Sequence, residues 1–145
     1  MSVLLSIKPK YVDKIVAGDK KYEFRKAIFK KDVRKVYIYS SSPTKKIVGC
    51  FFLSDIIRNT PENLWAELKH LSGLEHAEFF EYFKDKTEGF AIEIGELFVF
   101  KKPIDPRICF ENFVPPQSFC YFDDNVMSRI PALSECDGQI QQIPS

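Results

Sequence analysis

Ile47-Val48-Gly49-Cys50-Phe51-Phe52-Leu53-Ser54-Asp55-Ile56-Ile57 is the stretch on which the fold turns. It is nearly all apolar, rich in β-branched and aromatic residues, and carries Gly49 where a bend or bulge fits. That composition predicts a long central strand in a curled sheet. Towards the N-terminus, Ser40-Ser41-Ser42-Pro43 is a turn signal, Val36 to Ser40 a strand before it, and Tyr22 to Ile28 another. Val3, Leu5 and Ile7 open the chain as a strand apolar on both faces. Pro9 then suits the first turn of a helix, in which Tyr11 and Ile15, and Val12 and Val16, share faces. Gly18 is placed to end that helix in a left-handed conformation.

Towards the C-terminus, Thr60-Pro61-Glu62 predicts a helix start, with an N-cap, a proline at the first helical position and an acid in the first turn. Leu64, Trp65, Leu68 and Leu71 form its apolar face and Gly73 ends it. A second helix carries Phe79, Phe80 and Phe83 inward and Glu78 and Glu81 outward. Phe90, Ile92 and Ile94 alternate as a strand that Leu97 to Phe100 extends. Cys109 to Phe122, with Pro115-Pro116-Gln117-Ser118 inside it, reads as an irregular segment or short edge strand. Strands, then two helices, then strands disfavour a doubly wound parallel sheet and predict an α+β barrel. One domain is expected over residues 1–125, with a C-terminal extension over 126–145 that frays from Ser134.

The chain has 145 residues, 45% hydrophobic and 28% charged, which suits one globular domain and argues against disorder. No apolar run approaches the roughly 20 residues that span a bilayer, so no membrane partner is expected. The apolar stretch at Met1 to Ile7 lacks a basic leader and stops at Lys8-Pro9, so it reads as a strand and not as a signal peptide. Cys50, Cys109, Cys120 and Cys136 never form C-x-x-C, and His70 and His76 are the only histidines. No metal and no cofactor are expected from that spacing, and a cytoplasmic location is. No sequence feature sets an oligomeric state. Charge is strongly polarised. Residues 1–50 hold 13 Lys and Arg against 4 Asp and Glu, a balance of +9, and residues 51–145 hold 8 against 16, a balance of −8. Such a basic half attracts polyanions, unless its lysines only solvate exposed faces.

The chemistry concentrates in Gly18-Asp19-Lys20-Lys21-Tyr22-Glu23-Phe24-Arg25, a G-x-K-x-x-E-x-R pattern running from a helix end into a strand. Strand parity puts Glu23 and Arg25 on one face and Tyr22 and Phe24 on the other. Lys20 has the wrong parity and joins Glu23 and Arg25 only if the chain still turns between Gly18 and Lys21. Arg offers a planar fork to phosphate or a base edge, Lys a mobile charge, and Glu an acceptor or general base. The residues alone equally allow a surface Glu23–Arg25 pair of little energetic weight.

These residues, with Leu5-Ser6-Ile7-Lys8-Pro9, Tyr39-Ser40-Ser41-Ser42-Pro43, Ile47-Val48-Gly49 and Pro115-Pro116-Gln117-Ser118-Phe119, resemble the ASCH domain family over roughly residues 3 to 122. The resemblance implies a PUA-like mixed β-barrel with flanking helices, and a cleft along the motif strand that binds RNA or a nucleotide. Some small bacterial members remove acetyl from an acetylated cytidine, using a Lys and a Thr of the motif and a distant Glu. Lys20 matches that Lys, but Glu23 stands where the Thr would be.

The expected ligand-binding residues are Lys8, Lys20, Lys21, Glu23, Arg25, Ser41 and Ser42. If the domain is an enzyme, a small hydrolase acting on an acylated nucleoside, Lys20 and Glu23 are its catalytic pair. A protein-interaction domain presenting the acidic helices is the remaining alternative. Tyr22, Tyr37, Tyr39 and Tyr121 are candidate base-stacking rings. Trp65 and the phenylalanines of the second helix are expected in the core, and both histidines at the surface.

Overall fold

At Gly49 two strands come closer than any side chain allows: a Cβ there would lie 2.4 Å from the Phe98 carbonyl oxygen. The pairing shifts register at this point, and it shifts twice more between Phe51 and Asp55. These irregularities bend the two longest strands, β4 (Lys46–Asn59) and β5 (Gly89–Ile104), and curl the whole sheet around them. The computed structural model describes residues 1–123 and the backbone of residues 140–143.

Along the chain these two strands are joined by β1 (Ser2–Ile7), α1 (Pro9–Ala17), β2 (Tyr22–Arg25) and β3 (Lys35–Ser40). Then come α2 (Pro61–Leu68), α3 (His76–Tyr82), α4 (Pro106–Cys109), β6 (Phe119–Phe122) and β7 (Ile140–Ile143). The sheet order is β2-β5-β4-β3-β1-β6, with β7 also on β5. β1 and β3 run parallel and the other pairs antiparallel, so the sheet is mixed. It is a curled half-barrel whose path ends at β2 on one side and β6 on the other.

Period-two alternation explains the layers. Val3, Leu5 and Ile7 on β1, with Val36 and Ile38 on β3, enter the barrel interior alongside Val12 and Ile15 of α1. Leu4, Tyr37 and Tyr39 face the other way, into a second cluster with Ile47, Cys50 and Phe100. A third cluster packs Leu64 and Leu68 of α2 and Phe79 of α3 against Tyr22, Phe24 and Ala91. Each fully buried side chain of this kind contributes about 1.5–3 kcal/mol.

Local signals behave as the sequence predicts at the end of α1 and the start of α2, but α2 stops at Leu68 and not at Gly73, because a 3-10 turn follows it. Gly18 caps α1 at φ 87°, and the Thr60 hydroxyl accepts from the Asn63 N–H at 3.2 Å to start α2. Two further expectations change. β2 stops at Arg25 and not Ile28, because Arg25 pairs with Phe90 and β5 begins one residue beyond. Phe29 turns inward and meets Phe119 edge-on at 4.9 Å. Leu71 is exposed, because Lys69–Leu71 tightens into a 3-10 turn and rotates it off the α2 face. The expected frayed tail lies mostly outside the described residues, and its described piece, Ile140–Ile143, pairs with Leu97 to Phe100.

Gly49→Ala is expected to destabilise the fold by about 1–3 kcal/mol, because backbone must move to admit the methyl group. Chemical denaturation of the two proteins measures this, and equal midpoints would contradict the close crossing.

Candidate functional site

After Gly18 the chain does turn. The Asp19 and Lys20 N–H groups both donate back to the Lys14 carbonyl. Three further bonds lace this turn to the end of the 3-10 segment: Lys21 N–H to Leu71 O, Lys20 Nζ to Ser72 O and Lys14 Nζ to Gly73 O, each at 2.8 Å. Lys20 is therefore directed inward before β2 begins, which resolves its parity.

Its ammonium lies 3.6 Å from Glu23 Oε1, while Glu23 Oε2 accepts from Arg25 Nη2 at 2.8 Å. Side-chain exposures of 1% for Lys20, 8% for Glu23 and 11% for Arg25 rule out a surface pair. Burial drives the Lys20 amine below its ordinary range, against the pull of the Glu23 charge. The rings of Tyr11 and Phe24, 5.6 and 5.1 Å from Lys20 Nζ, give the cation further partners.

Arg25 also reaches across the open side of the barrel. Nη2 donates to the Ser6 carbonyl at 2.7 Å and Nη1 to Ser118 Oγ at 3.3 Å. One guanidinium thus joins β2, at one end of the sheet path, to β1 and to the residue before β6, at the other. Its Nε is buried without a partner.

Over this triad opens a cavity of about 770 Å3. One wall is the β1–α1 junction, with Ser6, Lys8 and Tyr11. A second is the β3–β4 turn, with Ser41, Ser42 and Lys45, and Tyr39 beneath it. A third is α3, with Glu78, Glu81 and Tyr82, and the Pro115–Gln117 segment closes the fourth. Glu78 ties α1 to α3: it accepts from Tyr11 OH at 3.0 Å, Lys10 Nζ at 3.2 Å and the Glu75 N–H at 3.1 Å. Those bonds, the backbone one foremost, bring its carboxyl down to about 2.

The family model for the ASCH domain matches residues 5–98, which carry the motif and every strand from β1 into β5. The chain belongs to the ASCH domain family. A curated relative, the ASCH domain-containing ribonuclease of Zymomonas mobilis, is 24% identical over 138 residues, covering 90% of each chain. The ATP synthase subunit alpha of Ureaplasma parvum is 29% identical over 105 residues, which span 72% of this chain but 13% of that one. A crystal structure of an ASCH variant from Zymomonas mobilis superposes with a TM-score of 0.82 at 23% identity, covering 91% of this chain and 95% of that one. The fold is thus the PUA-like one of ASCH domains.

Of the residues singled out in the sequence, Lys8, Lys20, Glu23, Arg25, Ser41 and Ser42 line the cavity. Lys21 does not: its backbone pairs with Leu71 and Ile94, and its ammonium lies beside Gly18. Of the four tyrosines singled out as stacking candidates, Tyr39 lines the cavity. Tyr22 is buried and donates to Glu93, and Tyr37 is buried in the second cluster. Glu78 and Glu81, expected only as outward residues, form a wall. Tyr11, Lys45 and Tyr82 carried no site signal in the sequence, since they lie far apart along the chain and only the fold brings them to one cavity. Among the described residues, no three His, Cys, Asp or Glu side chains gather to hold a metal, and no helix is long and apolar enough to cross a membrane.

Two outcomes follow. Glu23→Ala leaves Lys20 and Arg25 without their shared carboxylate and is expected to cost about 3–5 kcal/mol in urea denaturation, more than an exposed Lys10→Ala. Glu78 gives an acid signature. Its folded carboxyl is depressed from 4.5 to about 2, so its stabilisation is complete above pH 4.5 and is lost as pH falls towards 2. Glu78→Gln should therefore flatten that acid limb of the stability profile, and an unchanged limb would refute the assignment.

Proposed function

We propose that the cavity binds RNA or a nucleotide, and that the chain acts on RNA. The observation carrying this reading is the division of the cavity into a fixed polar floor and a cationic rim. On the floor, Glu23 keeps lone pairs for a base amino group. Arg25 retains an Nη1 hydrogen beyond the bonds it already makes. Tyr11, Tyr39 and Tyr82 supply aromatic surface around a space of nucleotide size. At the rim, Lys8 and Lys45 are exposed, and among the described residues no carboxylate pairs with either. The hydroxyls of Ser41 and Ser42 stand beside Lys45, a set suited to phosphate.

The Zymomonas mobilis relative is named a ribonuclease, which makes RNA cleavage the first reaction to assay. A second reading, hydrolysis of an acylated nucleoside, draws on the depressed amine of Lys20 next to the Glu23 carboxylate. Lys20 and Glu23 are the catalytic pair only in that reading. The ligand-binding domain spans residues 1–125, with 126–145 as its extension. A cytoplasmic location suits the free thiol of Cys120.

Fluorescence anisotropy with a labelled single-stranded RNA of about ten nucleotides tests binding, and gel analysis of the same RNA tests cleavage. Affinity should fall with salt, and Lys8→Ala and Lys45→Ala should each reduce the log–log slope by about 0.7. Affinity indifferent to salt and to both substitutions, with no cleavage and no turnover of acylated nucleosides, would overturn the reading.

A further inference from the structure

The connection from β2 to β3, residues 26–34, is basic, exposed and rigidly held. Ile28, Phe29 and Val33 pin it to the barrel interior. Its backbone is tied at Lys30 N–H to Tyr121 Oη at 2.7 Å, at Arg34 N–H to Met1 O at 3.3 Å, and at Arg34 O to the Leu53 N–H at 2.9 Å. Lys26, Lys30, Lys31 and Arg34 are left exposed, with Asp32 the one acid in the segment. Among the described residues none of these four cations has a carboxylate partner. Lys26 and Lys31 instead lie over the rings of Tyr82 and Tyr121, at 4.6 and 5.0 Å.

This segment starts where the cavity ends. Tyr82, under Lys26, is a cavity wall, and Ser118, which accepts from Arg25, immediately precedes the edge strand that carries Tyr121. Tyr121 lies three residue steps beyond Ser118, roughly 10 Å at the usual extended rise. Lys30 and Lys31 therefore stand within reach of the phosphates next to a nucleotide seated in the cavity. On α3, Glu78 is paired with Lys10, and Glu81 stands exposed on the cavity wall as an acid facing any polyanion there.

Building on the nucleotide reading of the cavity, we infer that residues 26–34 form a second, extended RNA-binding track. It holds the phosphates that flank the seated nucleotide as the strand runs from Lys26, beside Tyr82, along the β6 edge. The partner is single-stranded RNA, bound there without sequence preference through counterion release. A folded connection whose backbone is hydrogen-bonded in place loses little entropy on binding, unlike a disordered basic tail.

The test compares two ligands on two proteins. A dinucleotide occupies the cavity alone, and a single-stranded RNA of about ten nucleotides reaches the track as well. In the wild type the longer RNA should bind at least about tenfold tighter. Lys30→Glu with Lys31→Glu should remove most of that advantage and lower its salt slope by about 1.4 or more, while leaving the dinucleotide unaffected. Equal affinity of the two RNAs in the wild type, or a longer RNA indifferent to the double substitution, overturns the track and leaves the cavity reading standing. Failure of the wild type to bind either ligand overturns both. If the substitutions abolish binding to anionic lipid vesicles but not to RNA, the surface serves a membrane and the track is also refuted.

Discussion

One carboxylate, Glu23, shared between two buried cations, is the constraint around which the rest of the molecule is arranged. Lys20 brings to it the turn that follows α1, together with the Leu71–Gly73 segment that the turn is laced to. Arg25 brings β1 and the start of β6, the far end of the sheet path. Removing the charge from water is expensive, and only the pairing with both cations makes the burial tolerable. A half-barrel has two free edges that backbone pairing does not join. Here a guanidinium takes the place of a missing ladder, so the residue that closes the fold also lines the cavity.

That double role limits what the triad can do for a ligand. Arg25 Nη2 spends both hydrogens on protein oxygens, and the Lys20 ammonium serves Ser72 and Glu23. A floor so engaged is a poor source of net attraction for phosphate. It is a good source of fixed direction, because its donors and acceptors do not need to be ordered when a ligand arrives. Attraction falls to groups with no other partner, and those stand at the rim and beyond it. Shape and directional bonds come from the interior, and charge comes from the periphery.

How far the sequence foretells this follows the range of each interaction. Period-two alternation in β1 and β3, the Gly18 cap and the Thr60 N-cap are local, and each is found where it is read. Glu23 and Arg25 share a face by strand parity alone. Lys20 needs a turn, and its inward course depends on carbonyls 52 residues away at Ser72, which no local rule supplies. Lys21 has the same charge and the adjacent position, yet the strand pairing with Ile94 takes it elsewhere. Tyr11 reads as one more apolar helix residue. Its hydroxyl matters only because α3, 67 residues on, brings Glu78 to it. Leu71 fails for another reason: a change of helix type within one turn alters the period on which its face was counted.

The charge imbalance between the two parts of the chain also takes on a spatial meaning once folded. Its basic part supplies β1 to β3, the β3–β4 turn and the segment from Lys26 to Arg34. Its acidic part supplies α3. These meet at the cavity, so a polarity distributed along the sequence becomes a gradient across the opening, acid at Glu78 and Glu81 and base at Lys8, Lys45 and the β2–β3 connection. A neutral ligand would feel little of it. A polyanion longer than the cavity would be drawn towards the exposed cations at its rim and along the β2–β3 connection.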